Sequence, residues 1–145
     1  MSVLLRHRLP VRFRDCDPLG HVNHAVYLTY LEQARFVLWR SQLAPADPGS
    51  QRGGPGVGII LAHAEVDYRS QARHGDELEV RLSLHAVGRS SFTYAYEIVD
   101  VATGRLVATA RTVQVHFDYD REQSVAIGDE LREKLARPVG APERT

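Results

Sequence analysis

The stretch Phe13–His24, with the sequence FRDCDPLGHVNH, decides how this chain is organised. It places two carboxylates, Asp15 and Asp17, directly before a proline- and glycine-containing turn. The apolar-rich segment Ala25–Leu43 follows at once and predicts a helix. A helix N-terminus presents unpaired N–H groups and a partial positive charge. A carbonyl held there would be polarised beside an acid that can activate water, so the pattern favours carbonyl or acyl chemistry.

The long helix is predicted over Asn23–Leu43, with Asn23 as its N-cap and His24 or Asp17 as alternative starts. Its apolar residues follow helical spacing and also extend well around the cylinder, which favours a helix wrapped by other structure. They are Val26, Tyr27, Leu28, Tyr30, Leu31, Ala34, Phe36, Val37, Leu38 and Trp39. The next segment, Ala44–Gly56, is rich in proline and glycine and predicts a loop.

Period-two alternation predicts one strand before this helix and four after it. The first strand is centred on Leu9, Val11 and Phe13, and the later ones lie at about 59–68, 79–85, 92–99 and 107–117. Their short connections imply antiparallel pairing. One long central helix wrapped by a curved antiparallel sheet of about five strands is an α+β architecture. The edge strands of such a sheet favour dimerisation.

Length and composition predict a single domain over residues 1–145, with a core at about 6–118 and a C-terminal helix and tail at 119–145. That helix is expected within Ser124–Leu135, with Glu130 and Lys134 as an ion pair, and residues 138–145 are expected to fray. Eighteen basic and eighteen acidic residues cancel, which argues against a nucleic-acid partner. No targeting segment or membrane-spanning run is expected, and the single cysteine, Cys16, favours the reducing cytoplasm.

In this order of elements, the chain resembles the hotdog-fold acyl-CoA thioesterases of the 4-hydroxybenzoyl-CoA thioesterase-like group. The resemblance covers about Arg6–Asp118. Its most specific part is the block before and into the helix, and weaker pieces follow in the expected order. The matching segments are Val11–His24, Tyr27–Arg35, Asp67–Tyr68, His74–Leu78 and Gly88–Phe92. The resemblance implies a homodimer with a continuous sheet that pairs further into a tetramer, and active sites at the dimer interface.

Hydrolysis of an acyl-CoA to a free acid and CoA is the activity that the resemblance implies, with no metal or redox cofactor. Asp17 matches the catalytic carboxylate, which either activates water or attacks the thioester carbonyl. By its position, the backbone N–H of His24 would polarise that carbonyl. Asp15 is expected to be structural and to pair with Arg12 or Arg35.

Substrate contacts are expected from two groups of residues. Near the helix start and on the second strand these are His21, Asn23, Tyr27 and Glu65. In the turn where the family often holds the phosphates of CoA these are Arg89, Ser90 and Ser91, because arginine contacts phosphate through two N–H groups. An ordinary hairpin with an exposed arginine, and a solvent-facing polar stripe on the strand, are the competing interpretations.

Several alternatives stay open at this point. Asp17 together with His21 or His24 also suits a hotdog enoyl-thioester hydratase or dehydratase. A non-catalytic acyl-CoA-binding module is the third hypothesis, because fold alone does not establish function. His21 and His24 lack a third metal ligand at motif spacing. Cys16 is assigned to packing, and Glu32 on the helix is the fallback carboxylate.

Overall fold

The computed structural model describes residues 2–43 and 57–140. The described residues form five long strands, one long helix and two short C-terminal elements, in addition to a short 3-10 turn. They are β1 (Val3–Pro10), α1 (Val26–Gln42), β2 (Val57–Tyr68), β3 (Glu77–Val87), β4 (Ser91–Asp100), β5 (Leu106–Asp118), β6 (Gln123–Ser124) and α2 (Asp129–Leu135). The predicted loop Ala44–Gly56 lies outside the described residues.

The strands form one antiparallel sheet in the order β1-β3-β4-β5-β2, with the two-residue β6 added to β5. Together with the single long helix α1, this confirms the predicted α+β hotdog architecture. The second strand along the chain, β2, forms one edge of the sheet. Most of its residues are exposed, with a bulge between Leu61 and His63.

The core lies between α1 and the inner face of the sheet. The helix residues Leu31, Ala34 and Leu38 are fully buried, as are Leu82 and Ile98 from the central strands. The buried set also reaches beyond the predicted core of 6–118, through Leu4, Leu5, Ile127 and Leu135. The terminal segments therefore contribute to the same core as the sheet.

Two hydrogen bonds between buried side chains hold the helix in register with the sheet. The Trp39 indole N–H donates to the Tyr94 hydroxyl at 2.8 Å. The buried Arg35 guanidinium donates to the Tyr96 hydroxyl at 3.3 Å. Buried polar groups are costly unless they are paired, so these bonds allow only a narrow range of helix positions.

Two predicted boundaries before and at the helix were wrong. β1 ends at Pro10, and Phe13 begins a short 3-10 turn in which it is 80% exposed rather than part of an inward-facing strand. The helix begins at Val26 after an Ala25 cap, not at Asn23. The Asn23 side chain instead accepts the Ala25 N–H at 2.9 Å, which forms a tight turn ahead of the helix.

Up to residue 140, the C-terminal segment is more ordered than predicted, and the rest of the predicted frayed segment, 141–145, lies outside the described residues. α2 is short, but the predicted ion pair between Lys134 and Glu130 is present at 3.2 Å. Beyond it, the Val139 N–H donates to the Leu4 carbonyl at 2.8 Å. The expected fraying is therefore wrong at Val139, because this residue extends the hydrogen bonding of β1.

Candidate active site

A small closed loop carries Asp17. Its two ends are tied by an antiparallel bridge between Cys16 and Val22, and by a bond from the Asn23 N–H to the Asp15 carbonyl at 2.9 Å. Inside the loop, the Asp17 N–H donates to the His21 carbonyl at 3.0 Å. Gly20 has a φ of +90°, a conformation that disfavours residues with a Cβ and closes this turn. The loop therefore holds Asp17 in a defined position at the surface.

The Asp17 carboxylate is half-buried, and one of its oxygens is already used. Oδ1 accepts the Leu19 N–H at 2.9 Å. Oδ2 lies 3.9 Å from the His21 Nδ1, too far for a hydrogen bond. Among the described residues no closer group engages Oδ2, so this oxygen is available to a water or a substrate atom.

A cleft of about 280 Å³ opens beside Asp17. It is formed by the Asp17 loop, the start of α1 and the segment that follows β2. Its lining residues are Asp17, His21, Val22, His24, Tyr27, Tyr68, Arg69, Ser70 and Gln71. The structure thus brings together four of the predicted site residues, namely Asp17, His21, His24 and Tyr27.

One backbone N–H group just before α1, that of the cleft residue His24, has no acceptor in the described part of the chain. Asn23 takes the Ala25 N–H on its side chain and the Val26 N–H on its carbonyl, at 2.9 and 3.0 Å. Within residues 2–43 and 57–140, the His24 N–H donates to no acceptor. An unpaired N–H near a helix start is the type of group that stabilises a developing oxyanion.

Tyr68 is a member of this cleft to which the sequence analysis gave no role. Its hydroxyl donates to the His24 carbonyl at 2.8 Å, and its ring packs edge-on against Tyr27 with centroids 5.3 Å apart. Tyr68 thereby ties the last residue of β2 to the start of α1. The signal in the sequence was weak, because an aromatic residue that ends a strand is common in sheets of any function.

Asp15 has the structural role that the sequence predicts. It is almost fully buried, and it accepts the Arg12 N–H, the Arg12 guanidinium and the Tyr30 hydroxyl at 2.9, 3.0 and 2.8 Å. Burial by itself would raise the pKa of Asp15, but these hydrogen bonds and the Arg12 charge outweigh it and hold the pKa below its ordinary value. The pairing is with Arg12 and not with Arg35, which bonds Tyr96.

Five of the seven predicted substrate-binding residues lie outside the cleft in this chain, and Asn23 and Glu65 are the first two. The Asn23 side chain is used in the turn before α1. Glu65 lies on β2, 3.7 Å from His63, and borders a separate groove on the outer face of the sheet with Asp67 and Arg111. The period-two pattern of β2 identified the row of polar side chains that includes His63, Glu65 and Asp67. A sequence pattern cannot show how far this row lies from Asp17.

The turn that contains Arg89, Ser90 and Ser91 lies at the other end of the sheet. The Asp17 loop packs on the residues just before β3, because the Val22 N–H bonds the Ala72 carbonyl at 2.8 Å. The turn follows the other end of β3. An 11-residue strand spans roughly 33 Å, so the turn and the cleft are far apart within one protomer.

Metal-binding and thiol chemistry gain no support from the arrangement. Across the two described ranges, no group of three or more histidine, cysteine or acidic residues is placed to hold a metal ion. Cys16 is a free, half-buried cysteine whose thiol lies 3.8 Å from the Arg12 carbonyl. Its side chain packs against the hydrophobic core, which confirms the predicted packing role.

Comparison with known proteins supports the fold and identifies the family. A sequence profile described as the thioesterase-like superfamily matches residues 11–135, which includes both the Asp17 loop and the β3–β4 turn. The chain belongs to the thioesterase-like superfamily. The predicted family resemblance and the predicted activity, thioester hydrolysis, are thereby confirmed.

Individual relatives cover nearly the whole domain. The long-chain acyl-CoA thioesterase FadM of Escherichia coli is 27% identical over 93% of this chain and 99% of its own length. The 1,4-dihydroxy-2-naphthoyl-CoA hydrolase of Synechococcus elongatus is 30% identical over 86% of this chain and 90% of its own. A Thermus thermophilus thioesterase, solved with coenzyme A and zinc, is 31% identical with a TM-score of 0.76, covering 92% of this chain and 98% of its own.

Membrane insertion through a helix has no support in the described ranges. No helix in them is long and apolar enough to cross a bilayer.

Proposed function

We propose that this thioesterase hydrolyses acyl-CoA thioesters, with Asp17 as the catalytic carboxylate and the His24 N–H as the donor to the thioester carbonyl. The observation that carries the proposal is the shared cleft, whose lining includes Asp17, with a carboxylate oxygen that accepts no hydrogen bond, and His24, with a backbone N–H that has no acceptor among the described residues. A carboxylate and an oxyanion donor are the two groups that acyl transfer to water requires.

The chemical step follows from these two groups. Oδ2 of Asp17 accepts a proton from water as the water oxygen bonds to the thioester carbon, and the His24 N–H stabilises the negative charge on the carbonyl oxygen. The carbon–sulfur bond then breaks, and the proton passes to the departing thiolate, which gives a carboxylic acid and free CoA. Direct attack by Oδ2, with an anhydride that water then opens, gives the same products.

A homodimer through β2 is part of the proposal. β2 is an edge strand with exposed side chains, including Leu61 and Ile60, and such an edge is a template for pairing with a second copy. Antiparallel pairing of two β2 strands would make one continuous sheet with two-fold symmetry. It would place the Tyr68 end of one β2 beside the Val57 end of the other. Further pairing into a tetramer is also proposed.

This pairing would bring the distant Arg89 turn to the cleft of the partner. Val57 pairs with Asp118 at the end of β5, and the Ser90 carbonyl accepts the nearby His116 N–H at 2.8 Å. The Val57 end of β2 and the Arg89 turn therefore share one end of the sheet. We propose that Arg89, Ser90 and Ser91 bind the phosphates of CoA at the cleft of the partner subunit.

The remaining assignments are proposed on the same basis. His21 and Tyr27 line the acyl-binding side of the cleft, while Glu65 on β2 would face the dimer interface.

No cofactor is required, because water and a carboxylate suffice for the reaction. The cytoplasm is the proposed compartment, since the described chain has only a free cysteine and no disulfide.

The direct test is release of free thiol from a short panel of acetyl-, hexanoyl-, palmitoyl-, benzoyl- and 4-hydroxybenzoyl-CoA. We expect turnover of at least one member, and the preferred member identifies the acyl class. Hydration of crotonyl-CoA is measured in parallel. Hydration without thiol release would overturn the proposal in favour of a hydratase, and tight binding without either reaction would favour a binding module.

A further inference from the structure

We infer that Arg132, on the C-terminal helix α2, is a positioning residue that holds the β3–β4 turn in the shape needed to bind the phosphates of CoA. The inference rests on the proposed CoA-binding role of that turn, and it assigns α2 a supporting role in CoA binding. Neither the family resemblance nor the sequence pattern assigned any function to Arg132.

The Arg132 guanidinium bridges from α2 to the turn. Its two terminal nitrogens donate to the Gly88 carbonyl at 3.1 Å and to the Val87 carbonyl at 3.5 Å. These partners are 44 and 45 residues away in sequence. Two N–H groups of one planar guanidinium thus contact two consecutive peptide units, which fixes their orientation better than a single bond would.

The next two carbonyls of the turn are also used by the protein itself. The Arg89 carbonyl accepts the Ile127 N–H at 2.7 Å, and the Ser90 carbonyl accepts the His116 N–H at 2.8 Å. Four consecutive carbonyls, from residue 87 to residue 90, therefore accept bonds from α2, from the segment before it or from β5. Arg132 supplies two of those four contacts.

The corresponding N–H groups are left available. Within the described part of the chain, the N–H groups of Arg89 and Ser90 donate to no acceptor. A run of backbone N–H groups without acceptors, next to an exposed arginine, forms a concavity suited to a phosphate. Because each peptide unit is planar, fixing its carbonyl also fixes the direction of the following N–H. Arg132 therefore sets the direction of the Arg89 N–H through the Gly88 carbonyl.

The test compares three variants on two substrates. Arg132→Ala, Arg89→Ala and Arg137→Ala are each assayed on the preferred acyl-CoA and on the same acyl group carried by N-acetylcysteamine, which has no phosphate. Arg137 is the matched control, because it is an exposed arginine that follows α2 and donates no hydrogen bond to the turn among the described residues. Arg132→Lys tests whether a positive charge without the planar guanidinium group is sufficient to hold the turn.

We expect Arg132→Ala to raise the KM for acyl-CoA about fivefold with kcat unchanged, and to leave the N-acetylcysteamine thioester unaffected. Arg89→Ala should raise the same KM by about tenfold or more, and Arg137→Ala should leave the KM unchanged. Arg132→Lys should behave like the alanine variant, because ammonium cannot bridge both carbonyls.

Three results would overturn the inference. If Arg89→Ala raises the KM for acyl-CoA and Arg132→Ala does not, α2 has no part in CoA binding while the proposed turn site stands. If Arg132→Ala lowers activity equally on both substrates, its role is general folding. An unchanged KM in Arg89→Ala would instead contradict the proposed CoA site itself, and the inference with it.

Discussion

Two aspartates only two residues apart have opposite environments in this protein. Asp15 is buried and engages three donor groups from Arg12 and Tyr30, whereas Asp17 is half-buried and keeps one oxygen without a partner. The difference arises because Asp15 ends the 3-10 turn that packs against Arg12 and Tyr30, whereas the extended residue Cys16 begins the closed loop that carries Asp17 to the surface. The sequence alone indicated which aspartate is structural, but the identity of its buried partner, Tyr30, depends on how α1 packs.

Replacing Asp15 by asparagine should destabilise the fold. The substitution removes the charge that accepts the Arg12 and Tyr30 bonds, and it leaves a buried amide in their place. We expect a loss of roughly 2 kcal/mol in the free energy of unfolding at pH 7, measured with urea.

The effect of Asp15→Asn should depend on pH with a defined sign. Because the pKa of Asp15 is lower in the folded protein, its contribution is fully present above the unfolded value of about 3.8 and is lost as pH falls through the folded pKa. The stability difference between wild type and variant should therefore be constant from pH 5 to 7 and shrink below about pH 4. A difference that stays constant to pH 2.5 would contradict the assigned environment.

At the scale of elements, the sequence predicted which segments form strands and helix better than where they begin. Alternation placed the four later strands correctly. β3, β4 and β5 each contain several buried residues, whereas β2 keeps the period-two pattern although most of its side chains are exposed. The errors lie at Phe13 and Asn23, where local turns compete with regular structure. Phe13 continues the alternation of β1 but follows Pro10 and Val11 into a 3-10 turn, so its apolar side chain points to solvent.

The contact between the end of β2 and the start of α1 predicts a catalytic effect for Tyr68. Tyr68→Phe removes the bond to the His24 carbonyl and loosens the peptide beside the proposed oxyanion donor. We expect kcat to fall about tenfold with little change in KM, because misplacement of that donor acts on the transition state.

Tyr119→Phe provides a matched control for Tyr68→Phe. The Tyr119 hydroxyl also donates to a backbone carbonyl at 2.8 Å, that of Ile59 at the other end of β2. Its loss should cost comparable stability and leave kcat unchanged. Equal losses of kcat in the two variants would show that β2 acts through general stability rather than through the helix start.

On the scale of the whole molecule, the sheet separates the two proposed halves of the site. Asp17 lies near the start of β3, and Arg89 follows its far end, roughly 33 Å along the strand. Both residues could be identified from the sequence, but the distance between them could not, because it depends on the order and register of the strands. A site built from both therefore requires two chains.

Mixed dimers test this shared site directly. When Asp17→Asn and Arg89→Ala chains are co-expressed, a mixed dimer contains one cleft with an intact Asp17 and an intact Arg89 from the partner. Random assembly makes half of the dimers mixed with one such site each, so activity below KM should return to about a quarter of wild type. Activity that stays at the level of the two parent variants would place both residues' functions within one chain.

The central claim is that Asp17 performs the chemical step. The measurement that tests it most directly is kcat for thiol release by Asp17→Asn on the preferred acyl-CoA, with unfolding temperature as the control for folding. The amide keeps an oxygen to accept the Leu19 N–H but cannot take a proton from water. We expect kcat to fall about 100-fold or more at unchanged unfolding temperature. A kcat within a few-fold of wild type would contradict it.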